Sequence, residues 1–160
     1  MRFTKPAAVL LLLALPLAST AQAAPIATQC GPLIKSIVKS DIDFFTTNSE
    51  IPVNFKGAAA NFTVPAGTTN CVRVRFSAIA NCPLSCFMRA VVDTTEMKPA
   101  WLSNALRFSN DKTNSGTAHS FEWVTRVSAG QHTVRITMQT GNTIENANIG
   151  PWTFAVDIQE

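Results

Sequence analysis

Along most of this chain apolar and polar residues alternate with a period of two, and turn residues interrupt the alternation at short intervals. In CVRVRFSAI (Cys71–Ile79), Val72, Val74, Phe76 and Ala78 fall on one side, and Arg73, Arg75 and Ser77 on the other. That pattern predicts a strand with one buried face and one wet face. HSFEWVTRV (His119–Val127) and QHTVRITMQT (Gln131–Thr140) alternate in the same way, and SAG between them reads as a hairpin turn. WTFAVDI (Trp152–Ile158) lines up Trp152, Phe154, Val156 and Ile158 as a core face. CFMRAVVD (Cys86–Asp93), NFTV (Asn61–Val64), ALRFS (Ala105–Ser109) and IPVNF (Ile51–Phe55) are further strands, the last marked as an edge by Pro52. PAGTTN reads as a Pro/Gly turn ending NFTV, and NDKTNSGTA (Asn110–Ala118) and GNTIENANIGP as polar loops.

One patch departs from this pattern. In GPLIKSIVKSDIDFF (Gly31–Phe45), Leu33, Ile34, Ile37 and Val38 have helical spacing, while Ile42, Phe44 and Phe45 shift towards strand chemistry. The prediction is a short helical turn or irregular arm followed by a strand, with a helix through Asp43 as the alternative. Taken together the pattern predicts an all-β fold, a single antiparallel β-sandwich or jelly roll of about 8–10 strands. A closed barrel shares the same in-and-out alternation.

The start of the chain decides how the cysteines are read. Arg2 and Lys5 precede the apolar run Ala7–Leu17, and AQA (Ala21–Ala23) follows it. This is the order of a secretory signal peptide cleaved before Ala24. The apolar run is shorter than the roughly 18–20 residues a spanning helix needs, and no later stretch is long and apolar enough to cross. The expected organisation is a signal peptide over 1–23, an N-terminal arm and first strand over 24–50, and a sandwich core over 51–160, arm and core forming one domain. Cleavage of 23 from 160 residues leaves 137. Arg2 and Lys5 leave with the signal, so 13 basic residues become 11 against 10 acidic ones. A near-neutral mature chain offers no electrostatic case for nucleic acid or an anionic membrane. The expected location is secreted or periplasmic.

Cys30, Cys71, Cys82 and Cys86 all survive cleavage. Four cysteines in an exported chain read as two disulfides with three possible pairings. If the strands flanking ANCPLSC form a hairpin centred on Leu84, Cys82 opposes Cys86, Ala80 opposes Met88 and Phe76 opposes Val92, a register that keeps apolar residues together. Cys82–Cys86 then staples the hairpin neck and Cys30 pairs with Cys71, pinning the arm. A zinc site or a redox pair fits less well, because the spacing is CxxxC rather than CxxC.

Other candidates for chemistry also have structural readings. Pairing about Ala129 would put His119 and His132 at opposite ends of a hairpin, away from any shared metal. GxSxG, HExxH, P-loop and GxGxxG motifs are absent. Asp41 and Asp43 offer two carboxylates on one side of a strand. Asp93 and Glu96 offer two in a turn, the better placed for a ligand or cation. Trp123 and Trp152 read as core. Trp101, in a loop after KPA, is the candidate for stacking on a sugar ring or anchoring a partner. NFT at Asn61–Thr63 matches a glycosylation sequon that a bacterial-looking signal makes irrelevant. No metal or cofactor is expected.

The VPAG turn leading into VRVRFSA, the RAVVD strand, and AGQHTVRI before a C-terminal WTFAV give the stretch Phe62–Ile158 a resemblance to small exported bacterial β-sandwich proteins of uncharacterised function. It more distantly resembles jelly-roll heads of the tumour-necrosis-factor type. The resemblance implies a fold and, by association, self-assembly; it carries over no catalytic or binding residue.

The leading functional expectation is a non-catalytic binding module outside the cytoplasm, recognising a glycan or a protein partner at a cell surface through its loops. The alternative is a structural or assembly subunit, a homo-oligomeric jelly roll of the bacterial envelope or extracellular space. An enzyme built on loop carboxylates, Asp93, Glu96 or Asp111 with His119, stands third.

Overall fold

The computed structural model describes residues 30–160 apart from 84, 100–106, 109–115, 142 and 145, and only the backbone of Arg107. The described residues form strands β1 (Leu33–Asp41), β2 (Phe45–Thr47), β3 (Val53–Asn81), β4 (Cys86–Val92), β5 (Thr95–Glu96), β6 (Arg107–Phe108), β7 (Thr117–Thr140) and β8 (Ala147–Gln159). All pairings are antiparallel, in the order β1-β8-β3-β7-β4-β5, with β2 on β8 and β6 on β4. The all-β sandwich expected from the alternation is present. No helix among the described residues is long and apolar enough to cross a membrane.

Two very long strands organise the fold. β3 and β7 run beside each other from Val53↔Met138 to Ala80↔Thr117. The first half of β3 pairs with the second half of β7, which also carries β4 through Cys86↔Thr140 to Val92↔Val134. The second half of β3 pairs with the first half of β7 and with β8, which carries β1. One ribbon therefore contributes to both layers. It bends where its register slips, between Val64↔Gly130 and Thr69↔Ser128.

PAGTTN and SAG were expected to end strands. Instead they face each other across the ribbon as paired bends. Gly67 and Gly130 take positive φ there, at 77° and 146°, so the chain turns sharply without leaving the ladder. QHTVRITMQT is thus the continuation of HSFEWVTRV rather than its hairpin partner, and the two histidines sit on different layers of one strand.

The expected hairpin about Leu84 is also replaced. β4 pairs with β7, not with the end of β3. The chain changes layer at ANCPLSC, and the Cys82–Cys86 disulfide, with a Cα–Cα separation of 6.0 Å, closes that crossing. The second predicted disulfide, Cys30–Cys71, is present with a Cα–Cα separation of 5.5 Å. Both bonds fit an oxidising compartment. Residues 1–23, the predicted signal peptide, lie outside the described residues.

Gly31–Phe45 is not helical. Its first part is β1, matched to β8 from Leu33↔Gln159 to Asp41↔Trp152. Helical spacing loses here because the backbone finds a full ladder on β8 and three side anchors. Cys30 is bonded to Cys71, Gly31 N–H donates to the Glu160 carbonyl at 2.8 Å, and Ser36 Oγ donates to Asp157 Oδ1 at 2.7 Å. The same Asp157 carboxylate, buried on the outer face of the sheet, accepts from Arg75 at 2.7 Å.

The core lies between the layers. Val72, Val74, Phe76, Trp123, Phe154 and Val156 are fully buried, as the alternation predicts, and Trp152 is nearly so. Phe55 crosses from the opposite layer to meet them, with ring centroids 5.0 Å from Phe76 and 5.6 Å from Trp152, both edge-on.

Candidate functional site

Two groups of functional side chains emerge. The first surrounds Asp93. Asp93 and Thr94 form the tight turn between β4 and β5, where Val92 pairs with Thr95. Asp93 adopts φ 54°, a left-handed conformation that aspartate tolerates better than most residues. Its carboxylate accepts the Thr133 N–H at 2.9 Å and lies 2.8 Å from His132 Nδ1. The other imidazole nitrogen is 2.9 Å from the Ser128 carbonyl. Both ring nitrogens thus face acceptors, an arrangement only the doubly protonated imidazolium satisfies. The Asp93 bond raises the His132 pKa above its ordinary value of 6.5, and the His132 and Thr133 bonds lower that of Asp93. Neither nitrogen is left over to take a substrate proton, so this pair is a clamp between the β4–β5 turn and the bend of β7.

Glu96 is on β5, three residues after Asp93. It lies 3.6 Å from Arg89 on the neighbouring strand. His119 packs its ring against Phe108 and Phe121 at 5.0 and 6.2 Å. Trp101 and Asp111 lie outside the described residues.

The second group lies where β1 turns into β2. Asp41 ends β1, and its Oδ1 accepts the Asp43 N–H at 3.1 Å, folding residues 41–43 into a side-chain-closed turn. Phe44 follows, a residue 67% exposed, while Phe45 turns inward against Phe55 at 4.5 Å. Two glycines fix this turn. A Cβ on Gly150 would lie 2.7 Å from the Asp43 carbonyl oxygen, and one on Gly57 would lie 2.9 Å from the Trp152 ring. The turn can sit on β8, and β3 on the indole, only because these positions carry no side chain.

The result is a hollow of about 350 Å³ lined by Asp41, Asp43, Phe44, Phe45, Lys56, Gly57 and Trp152. It adjoins a shallower depression of about 600 Å³ that shares Asp41 and Trp152 with it. Ala118 and Pro151, the described ends of the two predicted polar loops, border that second depression. The combined surface offers an exposed aromatic face, two carboxylates and an ammonium within a confined space. That set can stack on a flat apolar surface and exchange hydrogen bonds with hydroxyls around it. Among the described residues no group of three or more His, Cys, Asp or Glu side chains is placed to hold a metal.

Asp41 and Asp43 were visible in the sequence as a carboxylate pair. Phe44 was not singled out, although an exposed and a buried role for adjacent aromatics follows once SDIDFF is placed at a strand end. The roles of Gly57 and Gly150 depend on strands distant in sequence.

No protein-family model matches the chain, and no curated protein matches it. Among solved structures, it is similar to the C-terminal domain of EclA, described as a sugar-binding protein, at 9% identity and a TM-score of 0.41 over 84% of this chain and 89% of that one. It is similar to a structure of infectious bursal disease virus, Gx strain, at 9% identity and a TM-score of 0.38, covering 82% of this chain and 39% of that one. Dimeric latent PorU from Porphyromonas gingivalis matches at 11% identity and a TM-score of 0.38, covering 83% of this chain and 14% of that one. At these scores the likenesses do not extend to function.

Proposed function

We propose that this chain is an exported, non-catalytic binding module, secreted or periplasmic, that recognises a glycan through the hollow between Phe44 and Trp152. The observation that carries the reading is the exposed Phe44 beside Asp41, Asp43 and Lys56, on a turn that Gly150 and Gly57 allow to sit close to the sheet. Burying an aromatic face against the C–H surface of a sugar gains apolar contact, and the ring of polar side chains satisfies the hydroxyls that the contact would otherwise strand. The hollow is supported by strands on both sides, so little ordering is required on binding. The Asp93–His132 clamp supports the non-catalytic part of the reading, because its histidine has no free nitrogen.

The test is a glycan-array screen of the oxidised mature protein beside Phe44→Ala, Asp43→Asn and Trp101→Ala. Binding that falls with Phe44→Ala and Asp43→Asn supports the hollow. Binding lost only in Trp101→Ala moves the site to Trp101, and silence of the unmodified protein across the array contradicts glycan recognition.

A further inference from the structure

β1 is the end strand of its layer. It pairs with β8 on one side, and among the described residues no strand pairs with its other edge. An open edge with apolar side chains is a template for another strand. On the outer face of β1, Val38 is 63% exposed, and Ile34, beside the register shift between Leu33 and Lys35, is 55% exposed. Ser36 and Ser40 share that face. On the inner face run Lys35, Ile37, Lys39 and Asp41.

We infer that this edge pairs with the same edge of a second copy, antiparallel, about a two-fold axis at Val38. In that register Val38 faces Val38 of the other copy on the outer face. Ser36 faces Ser40. On the inner face Lys35 faces Asp41 at both ends, and Ile37 faces the stem of Lys39. Apolar and opposite-charge cross-strand pairs are the stabilising ones, and like charges directly opposed are destabilising.

The neighbouring registers fail on the same criterion. An axis at Ile37 opposes Lys35 to Lys39 twice. An axis at Lys39 opposes the two Lys39 side chains. An axis at Ser36 leaves Asp41 beyond the pairing and Lys35 without an acidic partner. The two lysines thus select the register as well as discouraging indiscriminate pairing. A self-complementary patch of this kind gives a closed dimer rather than a fibre, and the two outer layers become one continuous sheet. This inference does not rest on which ligand the Phe44 hollow takes, although Asp41 borders both surfaces.

The experiment is sedimentation of the mature protein combined with cysteine cross-linking under mild oxidation. The expected results are a dimer, a monomer with an unchanged circular dichroism spectrum for Val38→Lys, and covalent dimers from Val38→Cys alone. Ser36→Cys and Ser40→Cys are expected to cross-link when mixed and not singly. A monomer at every soluble concentration overturns the inference, as does a dimer that survives Val38→Lys. Self-cross-linking of Ser36→Cys that matches Val38→Cys overturns the register and with it the charge argument.

Discussion

Asp93 Oδ2 lies 2.8 Å from His132 Nδ1, across a pair of strands that the sequence separates by almost forty residues. The second nitrogen of the same ring faces the Ser128 carbonyl, so the imidazole ties the β4–β5 turn to the bend of β7. Phe62 flanks the ring at 5.4 Å.

This clamp makes stability depend on pH in a defined direction. The His132 pKa is raised, so its contribution is complete below 6.5 and is lost as pH rises through the folded-state value. The Asp93 pKa is lowered, so its contribution is complete above 3.8 and is lost as pH falls through the folded-state value. Both are present together between about those two limits. Asp93 is half exposed, so the gain is about 1 kcal/mol at most. Melting temperatures of the protein and of His132→Gln, measured from pH 4 to pH 9, are expected to differ most at the acid end of that range and to approach each other as pH rises through the folded-state value of His132.

Gly150 and Gly57 are expected to be intolerant of a methyl group. Gly150→Ala meets both φ 152° and a backbone oxygen at 2.7 Å, and strain of this kind costs about 1–3 kcal/mol. Urea denaturation measures the loss. Glycan binding is expected to weaken with it, since the Phe44 turn must move off β8.

The two disulfides differ in what they close. Cys30–Cys71 spans a sequence separation of 41 and Cys82–Cys86 one of 4. Loop-closure entropy gives about 4 kcal/mol for the first and about 2 kcal/mol for the second. Double serine variants of each pair, compared by denaturant midpoint, are expected to rank in that order. The first is also expected to free the start of β1, read as faster amide exchange at Ile34–Ser36.

Phe55 is the contact that holds the layers together at the hollow, meeting Phe45, Phe76 and Trp152 at once. Phe55→Ala is expected to cost about 3–5 kcal/mol, more than truncation of exposed Phe44, which is expected to be nearly neutral for stability. The contrast, read by thermal unfolding, separates the residue that builds the site from the one that serves it.

Period-two alternation was enough to identify the strands around Val74, Trp123, Val134 and Phe154, their core faces, and the all-β class. It could not tell which strands pair. The bends at Pro65–Thr68 and Ser128–Gly130 carry the same residue types as hairpin turns, and only their position opposite one another makes them bends in a continuing ribbon. The Cys82–Cys86 bond was legible because closeness in sequence forces closeness in space, even though the hairpin used to argue it does not form. β1 was misread because Leu33, Ile34 and Val38 face solvent and only Ile37 packs against the core, which removes the alternation that marks a half-buried strand. At the site, Asp93 stood out for its turn, but its partner His132 lies on a strand whose placement follows from the bent ribbon.

The most direct test of the glycan-binding hollow is an amide and indole NMR titration of the labelled mature protein with a mixed pool of neutral and acidic oligosaccharides. The expected result is saturable shifts at Asp43, Phe44, Gly57 and the Trp152 indole, with Asp93, His132 and Thr133 unmoved. Shifts centred on the Asp93–His132 clamp, or no shifts anywhere, would contradict it.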